Sequence, residues 1–170
     1  LAVARDNAVR MEIDERAVFT SGDWLNDFDR QTHGVFDLVI TNPPYIRTIE
    51  MASLEPDVRA FEPLRALQAG DDGLDASRCI TPVLPSVMRP GASFIGEFGI
   101  DQQADVSALL CDAGFHDVKI LNDVSLEIPA SSITAWLPAM AEPKNTGTSR
   151  KSKKGLEYLI IPFTLIPWLT

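Results

Sequence analysis

A chain of 170 residues, 45% hydrophobic and 23% charged, holds enough apolar side chains for one packed domain, which excludes a disordered or fibrous chain. Its net charge of −9 is the wrong sign for a surface that grips a phosphate backbone, so no direct nucleic-acid partner is expected. Cys79 and Cys111 make neither a disulfide framework nor a metal site, and in helix-like segments they read as small buried hydrophobes.

No charged leader followed by an apolar run opens the chain, so a cytoplasmic location is expected, with no membrane partner. Residues 1–11 read as the last turns of a helix, with Leu1, Ala4, Ala8 and Met11 on one face. The helix begins with neither a cap nor Met, as if cut from something longer. Residues 17–20 are a short strand candidate, ended by Ser21-Gly22-Asp23-Trp24. On their own, Asp23 reads as a turn residue and Trp24 as a partly buried core aromatic. Residues 26–34 form a polar loop in which His33 reads as solvated.

The most informative stretch is Phe36-Asp37-Leu38-Val39-Ile40-Thr41-Asn42-Pro43-Pro44-Tyr45. Leu38, Val39 and Ile40 predict a strand buried on both faces of a mostly parallel sheet. Pro43 and Pro44 cannot donate to a ladder, so the strand must stop before them, in a stiff loop at its carboxyl end. Open α/β sheets bind their ligands at such ends. The Asn42 side-chain oxygen and the Pro43 carbonyl can together hold the two protons of a planar –NH2 group, and Tyr45 can lay its ring against the flat face. An amide nitrogen is a poor nucleophile because its lone pair is delocalised. Two fixed acceptors favour a rehybridised nitrogen and aim that lone pair, so the catalysis available here is orientation and electrostatics. Taken alone, the same residues also fit a strand terminator followed by a turn.

Asn42-Pro43-Pro44-Tyr45 after a strand resembles the motif of amino-group methyltransferases that use S-adenosylmethionine. Asp57-Val58-Arg59-Ala60-Phe61-Glu62-Pro63-Leu64 with Ala66-Leu67, and then Gly70-Asp71-Asp72-Gly73-Leu74, resemble the segment that follows it in release-factor glutamine N5-methyltransferases of the HemK type. The three motifs occur in the family's order and at nearly its spacing, and the resemblance covers residues 1–123. It implies a Rossmann-like α/β sheet that transfers a methyl group from S-adenosylmethionine to the side-chain amide of a glutamine in a peptide chain release factor. Asn42, Pro43, Pro44 and Tyr45 would be catalytic and substrate-binding, with Phe61 an apolar wall of the substrate pocket. Asp23, Trp24 and Asn42 would bind the cofactor, the first two at its adenine. Glu62 either braces the loop through backbone N–H groups or faces solvent.

The family also grips the methionine and ribose of its cofactor through a Gly-rich loop and an acidic strand end, and carries a small N-terminal helical domain. None of these occurs in residues 1–170, so the sheet is expected to be incomplete, with N-terminal strands missing, and the chain alone to be inactive. DNA adenine methyltransferases use a similar loop, so DNA adenine or another protein is the alternative acceptor, though the acidic charge weighs against DNA. A truncated, non-catalytic module that docks a partner through the same loop is the other alternative.

Residues 46–73 show little periodicity and read as a long irregular segment. Residues 74–88 read as a helix that Pro82 and Pro85 either kink or delay. Arg89-Pro90-Gly91 predicts a turn, residues 92–98 a strand, and residues 101–113 a helix capped by Asp101 and ended by Gly114. Phe115 and residues 118–121 make the next strand, and the alternation indicates a doubly wound α/β sheet. Residues 1–125 are thus read as a partial catalytic domain, and 126–170 as an atypical tail, flexible or non-native. Within it, residues 145–155 are a basic linker, and the apolar residues 158–170 are too short for a bilayer, which needs about 20.

Overall fold

The strand predicted at the centre of the sequence is central to the structure too. The computed structural model describes residues 1–26, 28, 35–122, 130–136 and 158–162. In it, β1 (Phe36–Asn42) runs parallel to β2 (Met88–Gly99) on one side and to β5 (Tyr158–Pro162) on the other. β4 (Ala130–Trp136) is antiparallel to β2, and β3 (His116–Asn122) is antiparallel to β4. The five strands lie in the order β3-β4-β2-β1-β5. This is the Rossmann-like α/β class that the sequence predicts, with an antiparallel strand inserted beside the parallel ones.

Val39 and Thr41 point to one face of β1 and are fully buried there. Leu38 and Ile40, on the opposite face, are only half-buried, so the double burial expected of this strand is realised on one side. The buried face meets Phe94 and Phe98 of β2 and, across the sheet, the helices that follow the site loop. α4 (Asp75–Ile80) and α5 (Leu84–Val87) contribute Ile80, Leu84 and Val87, and α6 (Gln103–Asp112) contributes Val106 and Leu110. Phe94 also packs a tilted ring on Phe115, with 6.2 Å between centroids.

In the middle of the chain the helix read over residues 74–88 is neither kinked nor delayed by its prolines but broken into two, and Met88 already belongs to β2. α4 stops at Ile80, Pro82 lies in a turn, and Pro85 sits in the first turn of α5, where a missing N–H costs nothing. α1 (Ala2–Arg10) forms where expected, although it buries only Ala8 and leaves Leu1 and Met11 exposed. Gly114 ends α6 at φ +92°, and the next N–H, of Phe115, closes onto the Leu110 carbonyl.

Other expectations are corrected. Residues 17–20 form no strand: Val18 is 92% exposed, and the second edge of β1 pairs with β5 instead. Arg89-Pro90-Gly91 is not a free turn but a bulge inside β2, which advances from Met88 to Ser93 while β1 advances from Phe36 to Leu38. An Arg89–Asp37 ion pair at 2.8 Å spans the two strands there, and Gly91 takes the positive φ. The segment read as irregular holds a 3-10 stretch (Thr48–Ser53), α2 (Pro56–Phe61) and α3 (Leu64–Leu67), each too short to show a helical period. Asp101 does not cap α6: Gln102 stands at that position, and Asp101 pairs with Arg47. Cys79 and Cys111 are exposed, each one residue round its helix from the buried stripes Ala76–Ile80 and Val106–Leu110. Of the region read as a tail, Ala130–Trp136 and Tyr158–Pro162 join the sheet as β4 and β5. His33 and the linker at 145–155 lie outside the described residues. Among the described residues, no helix is long and apolar enough to cross a membrane.

Phe98 is the largest side chain in the fully buried core. Phe98→Ala is expected to lower the free energy of unfolding by about 3–5 kcal/mol, read as a fall in the urea midpoint at constant slope.

Candidate functional site

β1 ends at Asn42 because the next two residues carry no N–H for either neighbour. Pro43 and Pro44 are buried, so the chain leaves the sheet along a fixed path, with Asn42 and Tyr45 half-buried on either side. Among the described residues nothing hydrogen-bonds the Asn42 side-chain amide, which keeps its oxygen and its two N–H groups for something else. Tyr45 is held at both ends. Its hydroxyl donates to Glu97 Oε1 at 2.9 Å, and its carbonyl accepts from Gln102 Nε2 at 2.9 Å.

Beyond Tyr45 the chain is laced to residues 67–70. Ile46 donates to the Leu67 carbonyl and accepts from Ala69, both at 2.9 Å, and Thr48 donates to Gly70 at 2.8 Å. The Gly-Asp-Asp-Gly loop then closes over this backbone. Gly73 has φ +75°, and a Cβ there would lie 2.4 Å from the Tyr45 carbonyl and 2.2 Å from Gln102 Nε2. That final glycine therefore serves two needs, a left-handed backbone and a close approach. Asp72 turns the loop, accepting from the Leu74 N–H at 3.1 Å and forking with the Arg78 guanidinium, one contact being 2.9 Å. The Arg78 hydrogen bond, with help from the Leu74 N–H, lowers the Asp72 carboxyl from its ordinary 3.8 to about 2.

The predicted residues are placed as follows. Asn42, Pro43, Pro44 and Tyr45 form one continuous rim at the carboxyl end of β1. Asp23 is exposed, and Trp24, at φ +55°, packs partly on the core cluster that contains Val39 of β1. Phe61 is 79% exposed at the end of α2, open to a docking molecule rather than packed into a formed wall. Glu62 takes neither expected position: it is half-buried, and among the described residues its Oε2 has no hydrogen-bond partner. A cavity of about 10 Å³ under Pro43, bounded by Thr41, Thr81, Phe94 and Glu97, has room for a water and none for a substrate. Among the described residues no cluster of His, Cys, Asp and Glu could hold a metal ion.

Sequence reasoning missed Glu97 and Gln102. The signal for Glu97 is a carboxylate between Gly96 and Phe98 near the end of a core strand. For Gln102 there was none, because Asp101 beside it offered the more obvious cap.

The sheet and its rim define a Rossmann-like fold with a proline-stiffened loop at a strand end. A solved structure described as a possible exported protein from Bordetella parapertussis shares the fold, with a TM-score of 0.50 at 14% identity, over 80% of this chain and 49% of that one. No family profile matches the sequence. The chain is nonetheless a relative of the release factor glutamine methyltransferases, the family its motifs resemble. It is 43% identical over 125 residues to the enzyme of that name from Caulobacter vibrioides, covering 74% of this chain and 42% of that protein. It is 39% identical over 139 residues to the one from Cereibacter sphaeroides, covering 82% of this chain and 48% of that protein. The chain thus spans less than half the length of these relatives.

Two outcomes test this geometry. Gly73→Ala is expected to destabilise the fold by roughly 2–4 kcal/mol, from backbone strain and overpacking together, measured by urea unfolding. Because the Asp72 carboxyl titrates lower in the folded than in the unfolded chain, its pair stabilises fully above about pH 4 and fades as pH falls towards 2. Asp72→Asn should therefore be less stable than the parent at pH 7, with the difference vanishing in acid.

Proposed function

We propose that this chain carries the amide-orienting half of an S-adenosylmethionine-dependent methyltransferase acting on a glutamine side chain of a peptide chain release factor. The observation that supports it is the Asn42 amide at the end of β1, which engages none of the described residues and is followed by two buried prolines and a Tyr45 whose two ends are tied down. The relatives' names point to the same substrate.

Asn42 Oδ1 and the Pro43 carbonyl accept the two hydrogens of the substrate amide, which pins the nitrogen and turns its lone pair out of conjugation. Tyr45 covers the amide face and excludes water, so each of these bonds is made in a low dielectric. Phe61, exposed at the end of α2, offers apolar contact to the polypeptide that bears the glutamine. S-adenosylmethionine, when bound, supplies an electrophilic methyl group. Asp23 and Trp24 would meet its adenine, as an acceptor for the exocyclic amine and a ring to stack on it, with Asn42 as its third contact. The described residues place nothing for the ribose or the methionine carboxylate. No general base is needed, since the alkylated nitrogen is acidic and releases its proton to water. Cytoplasmic translation is the setting this substrate implies.

On this reading the 170-residue chain by itself binds cofactor weakly and turns over little. Nitrogen-15 NMR of the labelled chain should show the Asn42 side-chain resonance moving on titration with a glutamine peptide from a release factor, and not with duplex DNA. Asn42→Ala should weaken peptide binding by about 10–100-fold, the worth of one or two buried amide hydrogen bonds. Peptide binding indifferent to Asn42, or a preference for DNA, overturns the proposal. Micromolar affinity for S-adenosylhomocysteine in a calorimetric titration overturns the view that the chain alone is inactive.

A further inference from the structure

The Gln102 side chain is 2% exposed and makes three hydrogen bonds, all to backbone. Its Oε1 accepts from the Gly99 N–H at 2.9 Å, and its Nε2 donates to the Tyr45 carbonyl at 2.9 Å and to the Asp72 carbonyl at 3.2 Å. The three backbone groups belong to the end of β2, the loop after β1 and the Gly-Asp-Asp-Gly loop. A carboxamide suits all three at once, because only it presents an acceptor and two donors on one planar head. Glu97, four residues past the middle of β2 and facing the same loop, accepts the Tyr45 hydroxyl.

We infer that Gln102, together with Glu97, is a positioning residue for the amide site: the pair clamps Tyr45 by its carbonyl and its hydroxyl, and so sets where Asn42 and Pro43 present their acceptors. This rests on the amide-binding reading above, in which the two residues tie down Tyr45 but are given no role of their own. The physical ground is the junction itself. Pro43 and Pro44 have no N–H with which to anchor the rim, so its position is dictated by the first residue beyond them that can be held, which is Tyr45. Gly73 keeps the clamp open, since any side chain there would occupy the space of Gln102 Nε2.

Gln102→Glu keeps the shape and turns both donors into a charged acceptor facing two carbonyls. In the labelled full chain at pH 8, this variant should displace the Asn42 side-chain resonance and weaken binding of a doubly capped glutamine peptide at least tenfold. The methyl resonances of Leu84 and Leu110, in the core, should stay in place. Lowering the pH to 5 protonates the introduced carboxyl, restores an O–H donor, and should return the Asn42 resonance and the affinity part of the way. The parent chain, titrated alongside, carries the contributions of Asp72, Asp101 and Glu97. Should Gln102→Glu fail to fold, Glu97→Leu and Glu97→Gln decide: the first should displace Asn42, and the second, which still accepts from Tyr45, should not. An Asn42 resonance unmoved by Gln102→Glu, or by Glu97→Leu, overturns the inference whether or not peptide binds. A parent chain that binds no glutamine peptide, while its Asn42 resonance responds as described, overturns the amide-site reading and leaves the clamp standing.

Discussion

Two consecutive prolines at the end of a buried strand set the terms for everything around them. A strand that met an ordinary residue at position 43 would extend its ladder or coil away through its own N–H bonds. Here it can do neither, and the chain has to be caught from outside. The capture is by side chains on Glu97 and Gln102 and by the backbone of residues 67–70, so the rim belongs mechanically to β2 and to the Gly-Asp-Asp-Gly loop as much as to β1. The half-buried head of Asn42 engages none of the described groups and is left to water or to a ligand.

What could be read in the sequence was local. Leu38, Val39 and Ile40 ending at two prolines announce a core strand and its terminus, and Val106, Leu110 and Gly114 announce α6 and its end. What could not be read depends on groups far apart in the chain. Arg89-Pro90-Gly91 has the composition of a turn, and only Asp37 across the ladder makes it a bulge. The short helices between Thr48 and Leu67 last too few residues for a periodicity to appear. Gln102 joins backbone at positions 45, 72 and 99, and nothing in its neighbours' identity hints at that. Cys79 and Cys111 show the limit from the other side: residue type suggested burial, while helical phase put them in solvent.

The site is divided in its construction. The rim proposed to orient the amide is built from groups that lock one another, with buried prolines, a glycine forced by close approach and a glutamine satisfied three times. Of the residues proposed for the cofactor, Asp23 is exposed and Trp24 packs partly on the core. Rigid orientation is what a weak nucleophile needs most, because its reactivity depends on angle.

The parallel ladder between β1 and β5 has a consequence for how the molecule is made. Among the described strands β1 comes first and β5 last, and they hydrogen-bond side by side along Leu38–Asn42. Ribosomal synthesis therefore leaves that edge of β1 unpaired until β5 has emerged. Such long-range closure slows assembly and leaves a sticky edge open in the meantime. During that interval the nascent chain would depend on chaperones to keep the edge from pairing with a neighbour.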